Sequence, residues 1–81
     1  MNQLWKELIL KNIRIELKKA RTSRGITLEE AARVIGMTTK GGMAHIESGR
    51  NSMKMETFLE LVNLYEIEVV MKYNGRTIFI N

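Results

Sequence analysis

The sequence contains no cysteine, which excludes disulfides and thiolate metal sites. Its single histidine, His45, has no second His or Cys to complete a ligand set, so neither a metal nor any other cofactor is expected. There is no phosphate-binding glycine loop and no acid pair in an evident pocket. No catalytic residues are therefore expected, and an enzyme is the weakest reading. No apolar run approaches the roughly 20 residues needed to span a bilayer, so no membrane partner is expected. The start carries Lys6 and Glu7 inside its apolar stretch and lacks a small-residue cleavage site, which makes it a poor signal peptide. Repeats, linkers and low-complexity tracts are absent. The default expectation is a reduced, cytoplasmic protein.

What is present describes one small domain over residues 1–81. The apolar content, 44%, is ordinary for a globular domain, and the charged content, 27%, is too low for disorder. A chain this short buries a limited fraction of its surface, so partner contacts often add stability. The net charge of +4 is modest but uneven. Residues 11–25 hold Lys11, Arg14, Lys18, Lys19, Arg21 and Arg24 against Glu16 alone. Residues 51–66 hold Glu56, Glu60 and Glu66 against Lys54. A basic end opposite an acidic end fits a protein that turns one side toward a polyanion. A solvated helix face accounts for it equally well.

The periodicity predicts four or five helices and then a hairpin. Leu4, Leu8, Ile13, Leu17 and Ala20 recur at helical spacing, as one helix or as two broken near Asn12. Gly25 is a natural stop. Thr27 followed by Glu30 reads as a capping box opening a helix over 28–35 that buries Ala31, Val34 and Ile35. Gly36 ends it. The next helix begins between Thr39 and Gly42 and runs to Ser48, with Met43 and Ile46 inward and Gly49 as its close. Two such helices joined by a tight break form the unit that presents one helix to a DNA groove. Ser52 is expected to cap a fourth helix over 53–65, with Met55, Phe58, Leu59, Val62 and Leu64 mostly inward.

The last fifteen residues change period. Ile67 to Tyr73 is β-branched and roughly alternating, and Asn74-Gly75 is the strongest short hairpin signal. With a two-residue loop, Tyr73 faces Arg76, Met71 faces Ile78 and Val69 faces Ile80. One face then carries Ile67, Val69, Met71, Tyr73, Ile78 and Ile80. A lone hairpin is marginally stable. Its apolar face can be covered by the chain's own helices, or its edge by a second copy across a two-fold axis, which is the favoured expectation.

Gly25-Ile26-Thr27, Glu29-Glu30-Ala31-Ala32, Ile35-Gly36-Met37 and the run from Met43 to Arg50 resemble the lambda-repressor-like helix-turn-helix domain of the Cro/repressor or xenobiotic-response-element type. The similarity covers about residues 13–64. It implies a mainly α fold with a helical core over 12–65 and a probable dimerisation element over 66–81. Thr57 to Val62, followed by Glu66 to Val70, resembles antitoxins of the HipB type, in which a strand after the fourth helix pairs with its twin. The full hairpin departs from that pattern and implies a larger shared sheet. Two further departures lie in the core. Leu28 stands where the family usually has a phosphate-contacting Gln. The segment from Met37 to Met43 is one residue longer than the usual turn.

Carrying the motif over places Thr39, Lys40, Gly41 and His45 toward base edges, where the start of a recognition helix meets DNA. Lys40 can donate to guanine. Thr39 is equally a helix cap. Gly41 and Gly42 each cost about 1 kcal/mol inside a helix. Either a positive φ or close approach to DNA accounts for them. The resemblance implies phosphate contacts by Thr38, Gly42, Arg50, Asn51, Ser52 and Lys54, with Arg21 and Arg24 reaching the same strand. Glu47 is expected to pair with a basic residue or cap backbone inside the domain. Dimerisation is expected through Val69, Met71, Tyr73, Ile78 and Ile80. The functional expectation is a homodimeric, sequence-specific repressor that binds double-stranded DNA at a palindromic operator through the major groove. The alternative is an antitoxin that chiefly binds a toxin protein and represses its own promoter.

Overall fold

The computed structural model describes residues 3–81; Met1 and Asn2, the start of the expected domain, lie outside the described residues. The element order is α1 (Gln3–Ser23), α2 (Leu28–Val34), α3 (Lys40–Ser48), α4 (Met55–Leu64), β1 (Val70–Tyr73) and β2 (Arg76–Phe79). Asn12 does not break α1. Four helices are therefore present among the described residues, not five.

The core joins all four helices through Leu17, Ala31, Ala32, Met43, Ile46, Leu61 and Tyr65. Ala31 and Ala32 are small, which lets α2 and α3 approach closely. The inward arc of α2 runs through Leu28, Ala31, Ala32 and Ile35. Val34 falls outside that arc and is 50% exposed, contrary to expectation. The inward stripe of α4 is Phe58, Leu61, Val62 and Tyr65, spaced three or four apart. Leu59, expected inward, lies off that stripe, and Met55, also expected inward, is in line with it but stands at the first residue of α4; both are exposed.

The ends of the helices follow local chemistry. Glu30 N–H donates to Thr27 Oγ1 at 3.1 Å, and the Thr27 hydroxyl donates to the Glu30 carboxylate at 3.1 Å. Thr39 caps α3, accepting from Gly42 N–H at 3.4 Å. Lys54 occupies the cap position of α4 without a side-chain bond, so Ser52 is not its cap. Gly49, at φ +84°, closes α3. At the end of α4 the same left-handed conformation falls on Glu66, a non-glycine at φ 57°.

The hairpin has the expected register, with Tyr73 opposite Arg76, Met71 opposite Ile78 and Val70 opposite Phe79. Asn74 and Gly75 both have positive φ, as a tight primed turn requires. Asn81 fastens the open end: its side chain accepts from Val69 N–H at 2.8 Å and donates to Ile67 O at 2.9 Å. The chain's own helices do not cover the hairpin. Both faces of β1 and β2 are exposed apart from the half-buried Ile78.

Candidate nucleic-acid interface

The geometry of α3 is set from behind. Arg21 on α1 donates from Nε to Glu47 Oε2 at 2.6 Å and from Nη2 to Glu47 Oε1 at 3.2 Å. Its Nη1 donates to Ile26 O at 2.8 Å. The pair is buried on both sides. Hydrogen bonding to Glu47 raises the Arg21 pKa above its ordinary value, against a smaller opposing effect of burial. This single guanidinium locks α1, the loop before α2 and the C-terminal half of α3 into one unit.

Arg21 was expected at a DNA phosphate, and the structure places it inside the domain instead. Its guanidinium donors are taken by the Glu47 carboxylate and the Ile26 carbonyl, in a buried position. Arg24 also departs from expectation. Its Nε donates to Tyr65 O at 3.0 Å, and its guanidinium pairs with Glu66, so it closes the end of α4.

The other expected contacts divide by position. Thr38, Thr39, Lys40 and Gly41 are exposed on the turn and first residues of α3, and His45 is half-buried farther along it. Thr39 and Lys40 line a depression of about 350 Å³ with Glu29, Arg33, Met37 and Thr38. Lys40 Nζ lies 3.9 Å from Glu29 Oε1, a loose, solvated pair that leaves the ammonium accessible. Arg50, Asn51, Ser52 and Lys54 are exposed on the segment between α3 and α4. The cap already uses the Gly42 N–H, so Gly42 is poorly placed to donate to a phosphate.

The glycines of α3 take neither of the left-handed conformations a turn would need, since only Gly25, Gly36, Gly49 and Gly75 have positive φ. A Cβ on Gly42 would lie 2.9 Å from Met37 Sδ. Gly42 thus makes room for Met37, which packs against the core. A Cβ on Gly41 would meet only Thr39 Oγ1, at 3.6 Å, so its bare backbone faces outward.

Two basic residues join this surface that the motif alone did not single out. Arg33 borders the depression beside Thr38 and Lys40. Its spacing of four from Glu29 put both on one side of α2, which was the available signal. Lys18 lies with Leu28, Ala44 and Ser48 along a shallow groove between α1, α2 and α3. Its membership in the basic 11–25 stretch marked it only as one cation among six. Leu28 itself packs against the core, as an apolar side chain at that place must.

Tyr65 lies behind this assembly, 1% exposed, and its hydroxyl has no hydrogen-bond partner among the described residues. Burial pushes its pKa up to about 12, with the Glu47 charge adding to the effect. Among the described residues no cluster of His, Asp or Glu could hold a metal ion, and no helix is long and apolar enough to cross a membrane.

Two helices packed at a tight turn, the second exposing its amino-terminal turn beside exposed cations, define a helix-turn-helix unit of the DNA-binding class. A family model described as a helix-turn-helix domain matches residues 13–71, and the chain belongs to that family. No curated protein and no solved structure matches the chain significantly.

Proposed function

We propose that the protein is a sequence-specific transcriptional regulator of the lambda-repressor-like type. It acts as a dimeric repressor on a palindromic operator. The observation that carries this reading is the presentation of α3: a capped, glycine-bearing amino-terminal turn, exposed beside Lys40 and Arg33 and braced by the buried Arg21–Glu47 pair. Thr39, Lys40, Gly41 and His45 would meet base edges in the major groove. Thr38, Arg50, Asn51, Ser52 and Lys54 would meet phosphates, joined by Arg33 and Lys18. Lys18 would stand in for the phosphate contact that Leu28 cannot make.

The hairpin supplies the second copy. Val69, Met71, Tyr73, Ile78 and Ile80 form an apolar surface that the protomer leaves largely uncovered. Pairing of hairpins across a two-fold axis would cover it and place two α3 helices about 34 Å apart along DNA. The same uncovered surface also favours a second reading, an antitoxin of the HipB type whose hairpin meets a toxin protein.

In vitro selection from random duplexes tests the first reading. The expected product is a palindrome with half-sites one helical turn apart. Its affinity falls steeply with salt as counterions are released. Equal binding of random duplex and selected palindrome at every salt concentration would sink specific regulation and leave the protein-partner reading.

A further inference from the structure

The amino-terminal half of α1 carries a broad apolar arc that lies exposed in this protomer. Leu4, Trp5, Leu8, Ile9 and Leu10 are all exposed, Leu4 by 63%. At helical spacing Leu4, Trp5, Leu8 and Ile9 share one arc, and Gln3, Lys6, Glu7 and Lys11 occupy the other side together with Leu10. The segment adds roughly 15 Å of helix before the family match begins at Ile13. An amphipathic helix turns such an arc toward a packing surface, and in this protomer the arc stays exposed.

Its position says where that packing surface lies. An open apolar groove of about 470 Å³ brings Ile9 and Ile13 of α1 together with Phe58, Ile67 and Val69. The apolar half of α1 is therefore continuous with the root of the hairpin. Among the described residues, five of fourteen exposed large hydrophobic side chains lie on this half-helix, and five more lie on the hairpin. At roughly 100 Å² for each half-exposed side chain, Leu4, Trp5, Leu8 and Ile9 on one arc of α1 and Met71, Tyr73 and Ile80 on one face of the hairpin present about 700 Å². A standard interface takes about 600–1,000 Å² from each partner. Charge permits self-association here: residues 3–10 carry only Lys6 and Glu7, whereas the basic stretch that follows would repel its twin. The groove shares no residue with the depression beside Lys40, so an occupant leaves the reading surface open.

We propose that the amino-terminal half of α1 is a second element of the dimer interface, packing into the groove beside the hairpin of another copy of the chain. The inference rests on the dimeric reading above and extends it from a shared sheet to a composite helix-and-hairpin contact.

The full-length chain tests it, compared as wild type, Leu4→Glu/Leu8→Glu and Ile80→Glu. Sedimentation velocity measures self-association, and the emission of Trp5, the single tryptophan, reports burial of the helix. The wild type is expected to dimerise at micromolar concentration, with Trp5 emission moving to shorter wavelength as it does. Leu4→Glu/Leu8→Glu is expected to keep its helical circular dichroism and its affinity for a half-site. Its dimerisation should weaken at least tenfold. If it stays as dimeric as the wild type while Ile80→Glu is monomeric, the hairpin dimer stands and this inference falls. A wild type that never self-associates, or one that instead floats with anionic lipid vesicles, overturns it too. Half-site affinity reads the DNA-binding proposal separately in every case.

Discussion

The Arg21 guanidinium reaches from the last turn of α1 to the Glu47 carboxylate near the end of α3, bonding it twice, with neither side chain more than 9% exposed. The pair fixes the recognition helix against the rest of the domain from its hidden side. Breaking it should hurt far more than replacing it. Removing one partner of a buried pair leaves a buried charge and costs about 3–5 kcal/mol. That is a large share of the stability of so small a domain. Arg21→Met and Glu47→Leu are each expected to lower the urea midpoint sharply. The double variant should recover most of the loss. A double variant as unstable as either single one would refute the pairing argument.

Tyr65 gives a pH dependence. Its pKa is raised from 10.0 to about 12 by burial, so the folded chain holds the phenolic proton more tightly than the unfolded chain does. The associated stability is fully present below pH 10 and is lost as pH rises toward 12. A shift of this size corresponds to about 3 kcal/mol at most. Tyr65→Phe removes both the titration and an unpartnered hydroxyl. The variant should be neutral or stabilised by about 1 kcal/mol at pH 7. Its urea midpoint should also fall less between pH 9 and pH 12 than that of the wild type. Parallel alkaline limbs for the two proteins would show that Tyr65 does not govern the transition.

Two of the left-handed helix ends predict opposite responses. A Cβ on Gly49 would lie 2.6 Å from the Arg14 guanidinium and sit at φ +84°. Gly49→Ala should destabilise by about 1–2 kcal/mol, chiefly from the backbone, because the Arg14 side chain can move aside. Glu66 already bears that backbone cost, at φ 57°. The Arg24 ion pair it would lose is largely solvated and worth little. Glu66→Gly should therefore be neutral or raise the melting temperature by a few degrees. A marked loss would mean that the Arg24–Glu66 contact outweighs the backbone term.

The proposed base and phosphate contacts separate by what they do to specificity. Lys40→Ala should relax base preference at one position of each half-site, by about 1–3 kcal/mol. Arg50→Ala should weaken all duplexes alike and reduce the salt slope by about one. Repeating the selection with each variant checks both. An unchanged selected site for Lys40→Ala would remove Lys40 from the reading set.

Much of the local structure was legible because it depends on neighbours in sequence. Thr27 and Thr39 cap where a hydroxyl precedes a helix, and Asn74-Gly75 sets a two-residue turn and with it the strand register. Burial was less legible. Val34 and Leu59 look like core residues by hydropathy, yet the small Ala31 and Ala32 and the Leu61–Tyr65 stripe occupy the interior instead. Which apolar face of a short helix wins depends on what packs opposite it. Periodicity over seven to ten residues cannot choose.

The sequence alone determined the helix-turn-helix arrangement, the basic amino-terminal stretch and the hairpin. These follow from spacing, capping and turn chemistry within a few residues. Only the tertiary structure decided the roles of the arginines. Arg21 and Arg24 carry the same charge as Arg33 and Lys18, but the fold brings Glu47 to one and the end of α4 to the other. Two cations are thereby held inside or at a helix end, and two are left on the surface beside α3. The physical reason is distance along the chain. Arg21 and Glu47 are 26 residues apart, and only the packing of α1 on α3 brings their charges together.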